Sequence, residues 1–195
     1  MILIAGLGNP GKEYSSSRHN IGFRVIDEIS KRLRISLKKK SFRSHFAEAL
    51  LDGKKLILLK PQTYMNLSGY AVADVVQFFK ILPKELIVVY DEIDLPLGNI
   101  KIKTGGGSAG HKGVQSVINC LGDCGFVRVR VGIGKPIQKS EIIGHVLSGF
   151  EKEETKIMED MVVRAADAVL EIILRGLESA MNKFNRKSED LKLAE

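Results

Sequence analysis

The chain has 195 residues, of which 44% are hydrophobic and 27% are charged. At roughly 100 to 200 residues per domain, this length predicts one domain. The composition excludes a disordered tail, a disulfide scaffold and a collagen-like polymer. We find neither an 18-residue apolar run nor a signal-peptide pattern, which predicts a cytoplasmic protein that does not enter a membrane. Cys120 and Cys124 fit neither a zinc site nor a disulfide framework, so we expect reduced thiols and no metal.

The charge is unevenly distributed along the chain. Residues 1–150 contain 22 Lys and Arg against 12 Asp and Glu, a net charge of +10, whereas residues 151–195 have a net charge of −3. A basic surface attracts polyanions, and phosphate contacts dominate nucleic-acid affinity. The excess therefore indicates either a nucleic-acid partner or a basic protein that binds no polyanion.

The first elements in chain order are a strand, a helix and a hairpin. Residues 2–8 form an apolar run ended by glycines, which is typical of a strand covered on both faces. From residue 20 to residue 34, apolar residues recur every four positions and predict an amphipathic helix. Asp52-Gly53 separates 44–51 from 55–60 and predicts an antiparallel hairpin.

The remaining sequence continues the alternation of helices and strands. We predict helices over 68–79, 112–120 and 151–182, and strands over 86–90, 99–104 and 126–133. This order predicts an α/β fold in which helices flank a twisted mixed sheet. We expect a single domain over 1–187 and a frayed tail over 188–195.

Gly-Leu-Gly-Asn-Pro-Gly at 6–11 matches the dinucleotide fingerprint and follows a predicted strand. In that fold the third glycine opens a packed helix, but residues 12–20 form a polar loop. No second strand ends in an acidic residue about twenty positions later. We therefore expect no dinucleotide and no other cofactor.

Gly-Gly-Gly-Ser-Ala-Gly at 105–110 matches the same fingerprint and also the nucleophile elbow of serine hydrolases. The elbow would make Ser108 a nucleophile, but it needs a buried strand before it, whereas Lys-Ile-Lys alternation precedes this loop. Consecutive backbone N–H groups at a helix start, with Lys112 nearby, predict an anion-binding nest. A flexible turn is the alternative.

Four polar side chains lie where loops leave strands or enter helices. They are Asn9, His19, Asn66 at a predicted helix N-cap, and Asp91. Such positions gather beyond the carboxyl ends of parallel strands. Histidine accepts protons near neutral pH, an aspartate can fix its tautomer, and amides can hold an oxyanion. Each residue alone also has a structural role as a cap, a turn former or a surface residue.

A basic set flanks the glycine-rich loop. Lys101 and Lys103 share one strand face, as do Arg128 and Arg130, and Lys112 follows the loop. The set predicts a phosphate-binding strip, with a solvated sheet face as the alternative.

Four motifs in series resemble those of bacterial peptidyl-tRNA hydrolases. They are residues 6–11 with Tyr14 and Arg-His-Asn at 18–20, Lys-Pro-Gln-Thr-Tyr-Met-Asn-Leu-Ser-Gly at 60–69, Asp-Glu-Ile-Asp-Leu-Pro at 91–96, and the glycine-rich stretch 105–113. The resemblance spans nearly the whole chain. It implies a monomeric, metal-independent enzyme that cleaves the ester between a peptide and the 3′ ribose of tRNA, recycling tRNA from stalled ribosomes.

The resemblance also implies roles for individual residues. His19 is similar to the family's catalytic base and Asp91 to the carboxylate that orients it. Asn9 and Asn66 correspond to amides that bind the peptide or the ester, with Asn9 as an oxyanion donor, while Tyr14 and Met65 belong to the substrate-binding set. The family's contacts to the tRNA acceptor stem fall on Lys101, Lys103 and Arg130.

One position departs from the family pattern. Asn often follows the histidine of the glycine-rich loop, but this chain has Lys112, which cannot accept a hydrogen bond while charged. Lys112 could instead contact phosphate or an oxyanion. Two other readings stay open: an RNA-binding protein without catalysis, and a serine hydrolase that uses Ser108.

Overall fold

A computed structural model describes residues 1–185. The strands of this part of the chain are β1 Ile2–Gly6, β2 Lys39–Ser41, β3 Ser44–Leu51, β4 Lys54–Pro61, β5 Leu86–Glu92, β6 Ile100–Thr104 and β7 Val127–Gly132. Its α-helices are α1 Ile21–Arg32, α2 Ser68–Phe79, α3 Lys112–Leu121, α4 Ile142–Leu147, α5 Thr155–Arg175 and α6 Leu177–Phe184. Short 3₁₀ turns cover Lys12–Tyr14, Arg18–Asn20 and Met65–Leu67.

The strands form one mixed sheet in the order β2-β3-β4-β1-β5-β7-β6. The four central strands β4, β1, β5 and β7 are parallel, while β2, β3 and β6 run antiparallel to their neighbours. Leu3 and Ile4, which face opposite sides of β1, are both fully buried. The unbroken apolar run of β1 thus reflects helices on both faces of the sheet.

Alternate strand residues supply two separate cores. Helices α1, α5 and α6 pack on the face of Ile4, Leu58 and Val89. Helices α2 and α3 pack on the other face, which carries Leu3 and Leu59. The α/β class with a mixed sheet flanked by helices is confirmed, and the shared sheet joins both helical layers in one domain.

Most predicted elements match the structure, and the C-terminal helix does not. The hairpin of β3 and β4 and the helix α2 fall where their patterns place them. The single helix predicted over 151–182 is wrong, because Gly176 at φ 94° separates α5 from α6. The prediction also omitted β2 and α4.

Three further expectations concern the C-terminal tail, membrane-spanning helices and the cysteines. The predicted domain boundary at 187 and the predicted tail over 188–195 lie outside the described residues. Within residues 1–185, no helix combines the length and apolar character needed to cross a membrane. Cys120 and Cys124 are free thiols in the structure.

Two glycines bring the loops beyond the sheet close together. A Cβ on Gly69 of α2 would lie 2.0 Å from the Ser116 carbonyl oxygen of α3, and a Cβ on Gly113 would lie 2.4 Å from the Met65 sulfur. Only glycine permits these approaches. The start of α2 and the start of α3 consequently meet above the carboxyl ends of β1 and β5.

Candidate active site

A cavity of about 560 Å³ opens beyond the carboxyl ends of the parallel strands. Asn9 after β1, His19 before α1, Asp91 on β5 and Met65 with Asn66 before α2 all line it. The structure therefore brings together the four polar residues that the sequence analysis grouped. Tyr14, Tyr64, His111 and Lys112 contribute further parts of the wall.

Asp91 connects two imidazole rings at the floor of the cavity. Its side chain is 1% exposed. Nδ1 of His19 lies 2.8 Å from both carboxylate oxygens, and Nε2 of His111 lies 2.9 Å from Oδ1. An ionised carboxylate only accepts hydrogen bonds, so both nitrogens carry the proton they donate.

These contacts assign opposite tautomers to the two histidines. Nδ1 of His111 accepts a hydrogen bond from the Val114 backbone N–H at 3.2 Å, which uses both ring nitrogens of His111. His19 uses only Nδ1 among the described residues, so its Nε2 keeps a free lone pair. Because the His19 side chain is 13% exposed and lines the cavity, this lone pair is open to a bound water or substrate.

The charge of Asp91 is stabilised despite its burial. Burial alone would raise its pKa, but the facing rings of His111 and His19 outweigh this effect and hold the pKa of Asp91 well below its ordinary range. The carboxylate is therefore ionised at neutral pH and can stabilise positive charge that develops on His19.

His19, Asp91 and His111 are also the described side chains with the spacing to hold a metal ion. Their ligand atoms lie within 4.8 Å of one another. In the structure the two ring nitrogens donate to the carboxylate, so a cation at this point would have to replace both hydrogen bonds. The hydrogen-bonded arrangement suits proton transfer.

Asn9 is held by a second buried amide. The Asn20 side chain accepts a hydrogen bond from the Asn9 backbone N–H at 2.8 Å and donates one to the Asn9 carbonyl at 2.9 Å. Oδ1 of Asn9 accepts the Met65 N–H at 2.7 Å, which fixes the orientation of the amide. Nδ2 of Asn9 is thus left as a donor in the cavity wall, without a partner among the described residues.

The other predicted substrate residues surround this centre. The Tyr14 ring lies edge-on to Tyr64 with centroids 6.5 Å apart, and Met65 is buried beneath the cavity. Asn66 lies in the 3₁₀ turn before α2, so the expected N-cap position is wrong: α2 begins at Ser68. Asn66 and Lys112 are exposed and also line a neighbouring cavity of about 330 Å³.

The glycine-rich loop is anchored by Arg128, which the sequence analysis placed in a phosphate-binding strip. Arg128 is 1% exposed and donates to the carbonyls of Gly106 and Gly107. The prediction that Arg128 belongs to a phosphate-binding strip is wrong, because the loop folds over its guanidinium. Ser108 donates its hydroxyl proton to Oε1 of Gln115 at 2.7 Å rather than to a histidine.

Lys101, Lys103 and Arg130 lie at the β6 edge of the sheet. Register pairs Lys101 with Arg130 and Lys103 with Arg128, so these side chains share one face. Arg130 forms an ion pair with Glu92 at 2.8 Å. Loss of solvent, together with the charges of Arg128 and Arg130, lowers the pKa of Lys103.

Helix α4 forms an apolar wall opposite these polar groups. Ile142, Ile143, Val146 and Leu147 line the cavity from α4. The helix is fixed at its exit, where the Arg18 N–H donates to the Ser148 carbonyl at 2.9 Å. Its His145 Nε2 contacts the carbonyl oxygens of Ile133 and Gly134 at 3.1 and 3.0 Å.

His111 and Asn20 belong to the site, although the sequence motifs give them no role of their own. His111 appears there only as the histidine of the glycine-rich loop, and Asn20 as the last residue of Arg-His-Asn at 18–20. Both stand directly before helices, and their signal was a second histidine and a third amide at helix-entry positions. Tyr64 was quoted in a motif but given no role.

Comparisons with known proteins identify the family of the chain. The chain matches the profile of the family described as peptidyl-tRNA hydrolase over residues 3–192. It is 51% identical to the peptidyl-tRNA hydrolase of Thermoanaerobacter sp. (strain X514), over 95% of this chain and 100% of that protein. It is 44% identical to the peptidyl-tRNA hydrolase of Clostridium novyi (strain NT), over 95% of this chain and 98% of that protein.

A solved structure extends the agreement to three dimensions. The crystal structure of peptidyl-tRNA hydrolase from Acinetobacter baumannii matches with a TM-score of 0.90 and 35% identity, covering 95% of this chain and 94% of that one. With nearly complete coverage in profile, sequence and structure, the chain belongs to the peptidyl-tRNA hydrolase family.

Proposed function

We propose that this chain hydrolyses the ester between a peptide and the 3′ ribose of tRNA. The observation that carries the proposal is the buried Asp91 carboxylate, which accepts a hydrogen bond from Nδ1 of His19 at 2.8 Å and leaves Nε2 free in an open cavity. Membership of the peptidyl-tRNA hydrolase family supports this substrate. The activity would return tRNA to translation from peptides dropped by stalled ribosomes, which places the protein in the cytoplasm.

The reaction begins with a water molecule between His19 and the scissile carbonyl. As the water oxygen bonds to the carbonyl carbon, Nε2 of His19 takes its proton, and Asp91 stabilises the resulting imidazolium. Nδ2 of Asn9 donates to the tetrahedral oxyanion. The carbon–oxygen bond to the ribose then breaks, and His19 returns the proton to the leaving 3′ oxygen. No cofactor or metal is needed for these steps.

The remaining cavity residues bind and orient the substrate. Met65 and Tyr14 supply apolar contacts beside the ester. Asn66 follows Met65, whose N–H donates to Asn9, and supplies an exposed amide in the cavity wall. Lys112 lies at the first position of α3 with its charge in the wall between the two cavities. We assign to it a contact with phosphate or with the oxyanion, since an ammonium group only donates.

We assign the tRNA acceptor stem to the β6 edge of the sheet. Lys101, Lys103 and Arg130 form one cationic face there, and phosphate contacts supply affinity without reading sequence. We propose that the enzyme acts as a monomer, as the resemblance to bacterial peptidyl-tRNA hydrolases implies.

Two alternative functions differ from this proposal in what they require. A binding-only protein would keep the basic face without catalysis, but the complete set of Asn9, His19, Asn66 and Asp91 favours an enzyme. A serine hydrolase would need a base beside Ser108, whose hydroxyl contacts Gln115 instead.

The test is release of the N-acyl amino acid from N-acyl-aminoacyl-tRNA in the presence of EDTA, with unacylated aminoacyl-tRNA as the control substrate. Wild-type protein and Ser108→Ala should both hydrolyse the acylated substrate and spare the control. Binding of tRNA without turnover would support the binding-only function. Loss of turnover in Ser108→Ala alone would support the serine hydrolase, and inhibition by EDTA would contradict metal-independent cleavage.

A further inference from the structure

An exposed apolar stripe runs from the catalytic cavity along the outer side of α2. Tyr64 in the cavity wall is 57% exposed, Leu67 is 41% exposed, Tyr70 is 51% exposed and Phe78 is 67% exposed. We call these four residues the α2 track. Large side chains with this exposure are costly to leave in water and, when contiguous, mark binding surfaces.

Helical spacing places the track along one side of α2, and one neighbouring turn packs beside it. Leu67, Tyr70, Asp74 and Phe78 follow one another at three- and four-residue intervals, which places them on one side of the helix. The turn between β2 and β3 packs beside them: the Phe42 ring centroid lies 5.1 Å from that of Phe78, and Arg43 lies 5.6 Å from the Tyr70 centroid. These contacts support the exposed rings from one side.

The position of the track separates it from the cationic face. The two edges of the sheet are opposite each other: the β2–β3 hairpin lies beside the track, and β6 carries Lys101 and Lys103. With six strand spacings of about 4.8 Å, these edges lie roughly 29 Å apart. The catalytic cavity lies beyond the carboxyl ends of β1 and β5, between these edges in strand order, so a substrate with its RNA at β6 would direct its acyl group towards α2.

The charges along the track suit a peptide better than RNA. Asp74 lies within the stripe and forms an ion pair with Arg43 at 3.6 Å, so the pair leaves no net positive charge to attract phosphate. The stripe therefore offers aromatic and aliphatic area with its local charge balanced. Apolar side chains of a peptide complement such a surface.

We propose that the α2 track binds apolar side chains of the peptide portion of peptidyl-tRNA, upstream of the residue esterified to the ribose. The proposal rests on the proposed function and adds a substrate preference to it. From Tyr64 to Phe78 the track spans about 20 Å, at roughly 1.5 Å per helical residue. An extended peptide at about 3.4 Å per residue covers this distance with about six residues.

The experiment compares steady-state hydrolysis of three substrates on one tRNA with one C-terminal amino acid. The acyl groups are acetyl, a six-residue peptide of Leu and Phe, and a six-residue peptide of Gly and Ser. The proteins are wild type, Tyr70→Ser, Phe78→Ser and the control Leu50→Ser, which removes a 68% exposed side chain from the opposite end of β3.

We expect wild type to have the lowest KM for the apolar hexapeptide. Each track substitution should raise that KM roughly five- to thirty-fold, the effect of partly burying one large apolar side chain, and leave the KM of the acetyl substrate unchanged. Leu50→Ser should match wild type on all three substrates. Because the substituted side chains are largely exposed, the folded state should be retained.

Three outcomes would overturn the proposal. Equal KM values for all three substrates in wild type would show that the track takes no peptide. An equal rise in KM for the acetyl and the hexapeptide substrates would assign the track to RNA. If wild type cleaves none of the three substrates, both the proposed function and the role of the track are contradicted. If wild type cleaves all three without dependence on peptide length, only the role of the track is contradicted.

Discussion

At the scale of single residues, Asp91 organises the site by accepting from two imidazoles at once. A buried carboxylate normally resists ionisation, yet the two facing rings lower the pKa of Asp91. His111 has no free nitrogen after contacting Asp91 and Val114, so it positions Asp91 rather than exchanging protons. His19 is therefore the imidazole of this pair that can act on water.

Replacing Asp91 with asparagine tests this arrangement through pH. A carboxyl group with a lowered pKa stabilises the folded state above its unfolded pKa of about 3.9, and this stabilisation is lost as pH falls through the lower folded value. At pH 7 we expect Asp91→Asn to lower the free energy of unfolding by about 1.5–3 kcal/mol, the value of a hydrogen bond to a charged group.

Urea unfolding of wild type and Asp91→Asn between pH 8 and pH 3 measures the difference. The difference in free energy of unfolding between the two proteins should not shrink between pH 8 and 5, and should decline only below about pH 4. A difference that disappears near pH 6 would mean that Asp91 is not ionised in the way the contacts require.

The sequence pattern identifies many of the active-site residues. Asn9, His19, Asn66 and Asp91 were identifiable because each follows a strand or precedes a helix. The partners of Asp91 were not identifiable in full, since hydrogen bonds across 72 and 20 positions of sequence depend on how loops fold. Arg128 shows the same limit, because strand alternation gives its face and not the loop that covers it.

At the scale of elements, the site depends on the close approach of α2 and α3. Gly69 packs against the backbone of α3 at Ser116. The Gly69 N–H also donates a hydrogen bond to Oγ of Ser116 at 2.9 Å. Met65 lies in the turn before α2, and His111 lies directly before α3. A change in their separation should therefore affect stability and catalysis together.

We expect Gly69→Ala to destabilise the fold by about 1–3 kcal/mol, the usual cost of overpacking, and to lower kcat. Thermal unfolding and hydrolysis of N-acyl-aminoacyl-tRNA measure the two effects. The matched control is Gly144→Ala on α4, where a Cβ meets no atom within 4 Å. If Gly69→Ala is as stable and as active as Gly144→Ala, the helix contact does not position the site.

Elements with strong local signals were predictable, and those shaped by packing were not. Asp52-Gly53 marks its hairpin by turn chemistry alone, and the positive φ of both residues agrees with that turn. Gly176 interrupts the C-terminal helix although apolar residues continue on both sides of it. Strand β2 has only three residues, all exposed, and therefore no hydrophobic pattern to detect.

At the scale of the whole molecule, part of the positive charge of residues 1–150 forms one cationic face at the β6 edge of the sheet. Arg130 is partly neutralised by Glu92, whereas Lys101 and Lys103 have no ion pair among the described residues. The two lysines should therefore carry more of the phosphate attraction than the arginine. Composition predicted a basic protein, and the strand register locates part of that charge.

We expect Lys101→Gln and Lys103→Gln each to weaken binding of deacylated tRNA and to reduce the slope of log Kd against log salt by about 0.7–0.9, one phosphate contact. Fluorescence anisotropy at several salt concentrations measures both quantities. Lys55→Gln, an exposed lysine on β4, is the control and should leave the slope unchanged. Unchanged slopes for Lys101→Gln and Lys103→Gln would place the tRNA elsewhere.

The most direct test of the central claim is single-turnover hydrolysis of N-acetyl-aminoacyl-tRNA by wild type, His19→Ala and His45→Ala. His45 lies on β3 and does not line the catalytic cavity, so its substitution controls for the loss of a histidine. We predict that His19→Ala slows the chemical step by about 10²- to 10⁴-fold, the usual contribution of a general base, while His45→Ala stays near wild type. A His19→Ala enzyme that retains the wild-type rate would contradict the assignment of Nε2 as the proton acceptor.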